Sequence, residues 1–112
     1  MKRIENYHRI EEIKEGVIEE ISHAISKGIS DVDELQELAD RRTDEEAERL
    51  CIYYVDAWAI CSQANVSDFN IEQLGQKADN ITELAVWTLL DLFCEEYNTT
   101  ELIEEELKTV KI

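Results

Sequence analysis

The chain has 112 residues, with 27 acidic against 11 basic side chains and a formal net charge of −16 at pH 7. That length supports one domain, residues 1–112, with a real core. That charge repels DNA and anionic membranes, and the lack of basic patches with interleaved aromatics disfavours direct nucleic-acid binding.

No apolar run stands at the N-terminus, so neither a secretory leader nor a membrane anchor is expected, and the location implied is cytoplasmic. The three cysteines, Cys51, Cys61 and Cys94, fall in apolar helical runs without a Cys-x-x-Cys spacing. They read as reduced, buried thiols.

Residues 4–26 predict a first helix. Ile10, Ile13, Val17, Ile21 and Ala24 recur at helical spacing. Gly16 weakens this helix by about 1 kcal/mol relative to Ala, and Gly28 stands where a C′ residue ends it. Glu5, Glu12, Glu15 and Glu19 fall on the opposite face. Ser30 followed by Asp33 opens a short second helix over 31–41. Val32, Leu35, Leu38 and Ala39 form its inner side; Asp31, Glu34, Glu37 and Asp40 form its outer side.

The stretch 44–64 predicts the central helix, opened by a capping box of Thr43 and Glu46. Leu50, Tyr54, Ala57, Trp58 and Cys61 mark one stripe. Cys51, Ile52, Val55, Ala59 and Ile60 fill much of the remainder. A helix apolar on every side is buried by its neighbours, and about 12 such residues are too few to span a bilayer. Asp56 interrupts this run and needs a partner from another helix, because an unpaired buried carboxylate is costly.

After a loop at 65–70, residues 71–97 predict a second core helix with a bend near Gly75. Its apolar members include Ile81, Leu84, Trp87, Leu89 and Phe93. Trp58, Trp87, Phe93 and Tyr54 sit at core spacing and read as packing. Asn98 with Glu101 caps a last helix over 99–109. The fold class is therefore all-α: four to five helices in a compact domain around helices 44–64 and 71–97.

Enzymatic chemistry finds little support. Glu5 with His8 and Glu20 with His23 make two Glu-x-x-His pairs, but both lie on one helix, roughly 22 Å apart, and cannot share a dinuclear site. The three isolated glycines form no phosphate loop, and no nucleophile elbow is present. No catalytic residue, metal site or cofactor is assigned. Glu12-x-x-Glu15 and Glu37-x-x-Asp40 resemble the carboxylate motifs of the all-α MazG-like nucleotide pyrophosphohydrolases. In that family four carboxylates hold magnesium for attack on a nucleoside triphosphate, and hard oxygen ligands suit that ion. Here Arg41, Arg42 and Thr43 interrupt the apolar helix that follows the second motif in the family.

The charge is regional. Between Leu50 and Leu107 lie 12 acids and a single base, Lys77. A net charge of this size exceeds the roughly 2 to 8 usual for a small domain, and its self-repulsion opposes folding. A basic protein surface is the natural partner. The carboxylates expected on that contact surface are Asp31, Asp33, Glu34, Glu37, Asp40, Asp44, Glu45, Glu72, Asp79, Glu83, Glu95, Glu96, Glu101, Glu104 and Glu105.

Tyr53-Tyr54-Val55-Asp56-Ala57-Trp58 resembles the core helix of the Ocr-like antirestriction proteins of bacteriophages. The order of parts is similar too, with an acidic helix like Asp31 to Asp40 before it and an aromatic-rich, acid-ended segment like Trp87 to Glu96 after it. The stretch Lys108-Thr109-Val110-Lys111-Ile112 departs from the strongly acidic tail of that family. The resemblance implies a helical DNA mimic, usually an elongated homodimer. Such a mimic occupies the DNA-binding cleft of a type I restriction–modification enzyme, or of another host nuclease or methyltransferase complex. A dimer would carry −32, the charge of about 16 base pairs or roughly 54 Å of duplex. The alternative from the residues alone is an acidic helical adaptor for a basic protein.

Overall fold

The computed structural model describes residues 6–63 and 78–110. Five helices account for nearly all of them: α1 (Asn6–Ser26), α2 (Val32–Leu50), α3 (Tyr54–Gln63), α4 (Ala78–Glu96) and α5 (Thr99–Val110). No strand occurs among the described residues. The molecule is a rod of 52 × 23 × 23 Å with a radius of gyration of 15.8 Å. A compact chain of this length has a radius near 13 Å, so the domain is compact but elongated.

The core takes in the expected stripe of α1 and most of those expected on the later helices, but Val32, Tyr54 and Trp87 are exposed. Ile10, Ile13, Val17 and Ile21 of α1 are buried with Leu35, Ala39 and Ala47 of α2. Ala57, Ile60 and Cys61 of α3 are buried with Ile81, Leu84, Ala85, Leu89 and Phe93 of α4. Leu102 and Ile103 of α5 close this cluster. Burying each Ile, Val, Leu or Phe among them contributes about 1.5–3 kcal/mol. α1 and α2 pack antiparallel, as their cross-helix pairs show: Glu12 meets Arg49, and Glu20 meets Arg42. α3 lies over the start of α1, where the Asn6 amide nitrogen donates to Ile60 O. The rest of that end belongs to the packing of α3 on α4.

Several boundaries follow the sequence. α1 ends in a Schellman-type stop: Gly28 takes a φ of +97° and Ile29 N donates back to Ala24 O. Only a residue without a Cβ adopts that φ at no cost. Asn98 Oδ1 accepts from Thr100 N and starts α5 as expected. Residues 4–5, the loop at 65–70 and the bend near Gly75 lie outside the described residues.

The middle of the chain differs. The short helix over 31–41 and the start of the central helix over 44–64 are one helix, α2, which runs through Arg41, Arg42 and Thr43. Its N-cap is Asp31, whose side chain accepts from Asp33 N, and not Ser30. Thr43 is no cap: its hydroxyl donates to Ala39 O within the helix. Glu46 is held by Arg42 and Arg49 instead of closing a capping box. The break falls later, at Cys51–Tyr53, where α2 ends and α3 begins. Because the helix breaks there, Ile52, Tyr53, Tyr54 and Val55 stand exposed instead of being buried on all sides. Trp87 is also exposed, and so is Cys94, the one cysteine of the three that is not buried.

Candidate functional site

Four of the described bases make ion pairs, and they go to a small set of acids. At the seam between α1 and α2, Arg42 reaches Glu19 at 3.6 Å, Glu20 at 3.1 Å and Glu46 at 3.1 Å. Arg49 reaches Glu46 at 2.7 Å and Glu12 at 3.8 Å. Glu46 is the centre of this seam. Burial pushes its carboxyl up, but hydrogen bonds from Arg49 and Arg42 outweigh that and hold it below the usual range. It lies directly over Gly16, where a Cβ would stand 2.9 Å from its Oε1. Gly16 is thus the close approach that lets the seam form.

Two further pairs lie in the first half of α1. Arg9 is 2% exposed, and its guanidinium lies 3.9 Å from Asp56 of α3. It also donates to Asn6 Oδ1 and Gln63 Oε1. Arg9 is the expected cross-helix partner, but Asp56 is 38% exposed rather than buried, and the buried charge of the pair is the guanidinium. Lys14 pairs with Glu11 and sits over the Tyr97 ring, 4.9 Å from its centroid. Tyr97 donates its hydroxyl to Glu11. That bond holds the Glu11 carboxyl low and pushes the Tyr97 hydroxyl up to about 12.

None of these pairs uses a residue expected on the contact surface. Asp31, Asp33, Glu34, Glu37, Asp40, Asp44, Glu45, Glu83, Glu95, Glu96, Glu101, Glu104 and Glu105 are all exposed. No ion pair among the described residues reaches them. Asp79 lies on α4, and Glu72 falls outside the described residues. Glu15, Glu48, Asp91 and Glu106 join this unpaired set, with Lys27, Arg41 and Lys108 the described bases left to face it. Two bases, Arg42 and Arg49, serve the seam, Arg9 and Lys14 pair elsewhere along α1, and the uncompensated charge is left on the outer faces of α2, α4 and α5.

On α2 the arrangement is periodic. Asp33, Glu37, Asp40, Asp44 and Glu48 follow one another at spacings of four, three, four and four residues, which places them on one stripe. Glu34 and Glu45 lie beside it. Over the length of α2, about 28 Å, these side chains stand against roughly eight phosphates that one DNA strand carries over the same distance.

The carboxylates of the two pyrophosphohydrolase-like motifs are not brought together. Glu12 is opposite Arg49, so Asp40 lies nine residues of α2 away, roughly 13 Å along the axis. Among the described residues no group of three His, Cys, Asp or Glu side chains is placed to hold a metal ion. Of the Glu-x-x-His pairs, Glu20 is engaged by Arg42.

The thiols divide by environment. Burial pushes Cys51 up to about 12 and raises Cys61 as well, which keeps both as neutral, unreactive thiols. Cys94 lines a groove of about 420 Å³ between α2 and α4, with Asp40, Thr43 and Asp44 on one wall and Leu90, Phe93 and Tyr97 on the other. Sequence reasoning missed this groove because its walls come from helices whose register is set by tertiary packing.

No described helix is long and apolar enough to cross a membrane. Comparison with protein-family models, with curated proteins and with solved structures finds no match.

Proposed function

We propose that this protein is a DNA mimic: it occupies the DNA-binding cleft of a host defence enzyme, a type I restriction–modification complex or another nuclease or methyltransferase. The observation that carries the reading is the segregation of charge. Four of the seven described bases, Arg9, Lys14, Arg42 and Arg49, are taken up by acids outside the expected contact surface, and unpaired carboxylates cover the outer helices of a domain 52 Å long and 23 Å wide. That length corresponds to roughly 15 base pairs. A cleft built for phosphates holds such a rod through many weak pairs, each worth about 0.2–1 kcal/mol when exposed. The similarity of the segment from Tyr53 to Trp58 to the Ocr-like proteins points the same way. A second copy of the chain, as the resemblance implies, would lengthen the charged face.

The test is displacement. The protein is titrated against a labelled duplex bound to a type I methyltransferase core. The mimic releases the duplex and protects the same cleft, and its affinity falls steeply between 50 and 200 mM salt. Failure to displace DNA from any such cleft removes the proposal.

One observation favours the adaptor reading as the alternative. Ile52, Tyr53, Tyr54 and Val55 form an exposed apolar run at the α2–α3 turn, and tyrosines of this kind anchor protein–protein contacts. An adaptor binds its basic partner whether or not DNA is present. Replacing Tyr53 and Ile52 with Ser costs the adaptor its partner and leaves DNA displacement by the mimic intact.

A further inference from the structure

The groove between α2 and α4 combines two features that are rarely left together. Its α2 wall carries Asp40 and Asp44, one helical turn apart. Carboxylates at this spacing lie about 5–6 Å from each other at Cβ and repel. No ion pair among the described residues reaches either one; Asp40 accepts a hydrogen bond from Gln36, a neutral donor. Opposite that wall stand the apolar Leu90, Phe93 and Cys94, and Tyr97, Asn98 and Thr99 complete the lining. Asp91 and Glu95, which follow Leu90 and Cys94 in α4, are exposed, and no ion pair among the described residues reaches them. The volume, about 420 Å³, falls in the range of pockets that enclose a long side chain or a small ligand.

This chemistry selects a cation with an apolar body. An ammonium is a strongly hydrated point charge, whereas a guanidinium is planar, weakly hydrated and able to bridge two carboxylates through its fork of donors. We propose that the groove captures an arginine side chain of the basic protein partner, its guanidinium between Asp40 and Asp44 and its methylene stem against Leu90 and Phe93. This inference rests on the acidic face meeting a basic protein, and it adds one geometrically defined anchor to a contact otherwise made of dispersed charge pairs. Mutual repulsion of the two aspartates is relieved only when the arginine is in place, so charge complementarity favours the loaded groove.

The test uses the full chain and agmatine, a guanidinium and an ammonium joined by a four-carbon stem, with 1,4-diaminobutane, which has a second ammonium in place of that guanidinium, as the charge-matched comparator. Amide chemical shifts are followed by nuclear magnetic resonance. Capture predicts saturable shifts confined to the residues around Asp40, Asp44, Leu90 and Cys94, at least several-fold tighter for agmatine than for 1,4-diaminobutane. Asp40→Asn with Asp44→Asn, two exposed positions, weakens agmatine at least tenfold. Cys94 supplies a second reading, since it lines the groove while Cys51 and Cys61 are buried. Agmatine slows its alkylation by N-ethylmaleimide, and the alkylated protein no longer binds agmatine. Shifts spread over every acidic face without saturation, equal response to the two amines, or unchanged binding in the double variant each overturn the proposal. The outcome is separable from the DNA-mimic reading. Agmatine capture without DNA displacement leaves the groove and removes the mimic; DNA displacement without agmatine capture does the reverse.

Discussion

Gly16→Ala is the substitution that most sharply exposes how the seam works. On an isolated helix it stabilises by about 1 kcal/mol, because Gly gives up more backbone freedom. In this protein the new Cβ would stand 2.9 Å from Glu46 Oε1, 3.0 Å from its Cγ and 3.1 Å from its Cδ. The Glu46 side chain must move, and its carboxylate is held by Arg42 at 3.1 Å and Arg49 at 2.7 Å. Losing the Arg42 bond costs about 1.5 kcal/mol. Arg49 is half exposed, so its bond is discounted to about 0.5 kcal/mol. The net effect is a loss of about 1 kcal/mol, or a Tm lower by about 4 °C for a domain of this size. In a Glu46→Ala background the obstruction is gone, and the same Gly16→Ala change raises Tm by about 4 °C instead. Thermal melts followed by circular dichroism at pH 7 measure the four proteins of the cycle. The reasoning fails if Gly16→Ala raises Tm equally in both backgrounds.

Two further predictions concern pH. The folded Glu46 carboxyl lies below its unfolded value, so its contribution is present above about pH 4.3 and is lost as pH falls through the folded value. Glu46→Gln is therefore less stable than wild type at pH 7, and the gap closes below pH 4 in urea melts; a constant gap contradicts the assignment. The Tyr97 hydroxyl is raised to about 12 by its bond to Glu11, so its contribution is complete below about pH 10 and disappears as pH approaches 12. Tyr97→Phe removes that part of the alkaline loss, and tyrosinate absorbance shows one fewer late-titrating tyrosine; an unchanged alkaline profile tells against the bond.

Local signals in the sequence located the helices wherever the stop or start is made by backbone chemistry. Gly28 ends α1 because its φ is positive, and Asn98 opens α5 because its side chain accepts an orphan amide. The misplaced boundary has the opposite cause. Thr43 and Glu46 carry a capping signature, yet both are satisfied inside a continuous helix, Thr43 by Ala39 O and Glu46 by two arginines. Tertiary contact with α1 thus overrides a local cue. The real break at Cys51–Tyr53 has no Gly or Pro to mark it, and the exposed Ile52, Tyr53, Tyr54 and Val55 follow from that break. The outward position of the acids was legible from helical period. Which of them the bases neutralise was not, because Arg42 and Arg49 choose partners across the antiparallel α1–α2 register. The groove beside Cys94 was hidden for the same reason.

The central claim is that carboxylates act here as a distributed stand-in for phosphates, and a graded neutralisation series tests it most directly. Asp33, Glu37, Glu48, Glu101 and Glu105, all exposed and unpaired, are converted to their amides one, two, three and five at a time. Displacement of duplex DNA from the methyltransferase core is then measured at fixed salt. The account predicts a smooth decline, each neutralised acid costing a few-fold in displacement whichever one is chosen. A single amide that abolishes displacement while the others leave it untouched, or a fivefold variant that displaces DNA as well as wild type, contradicts it.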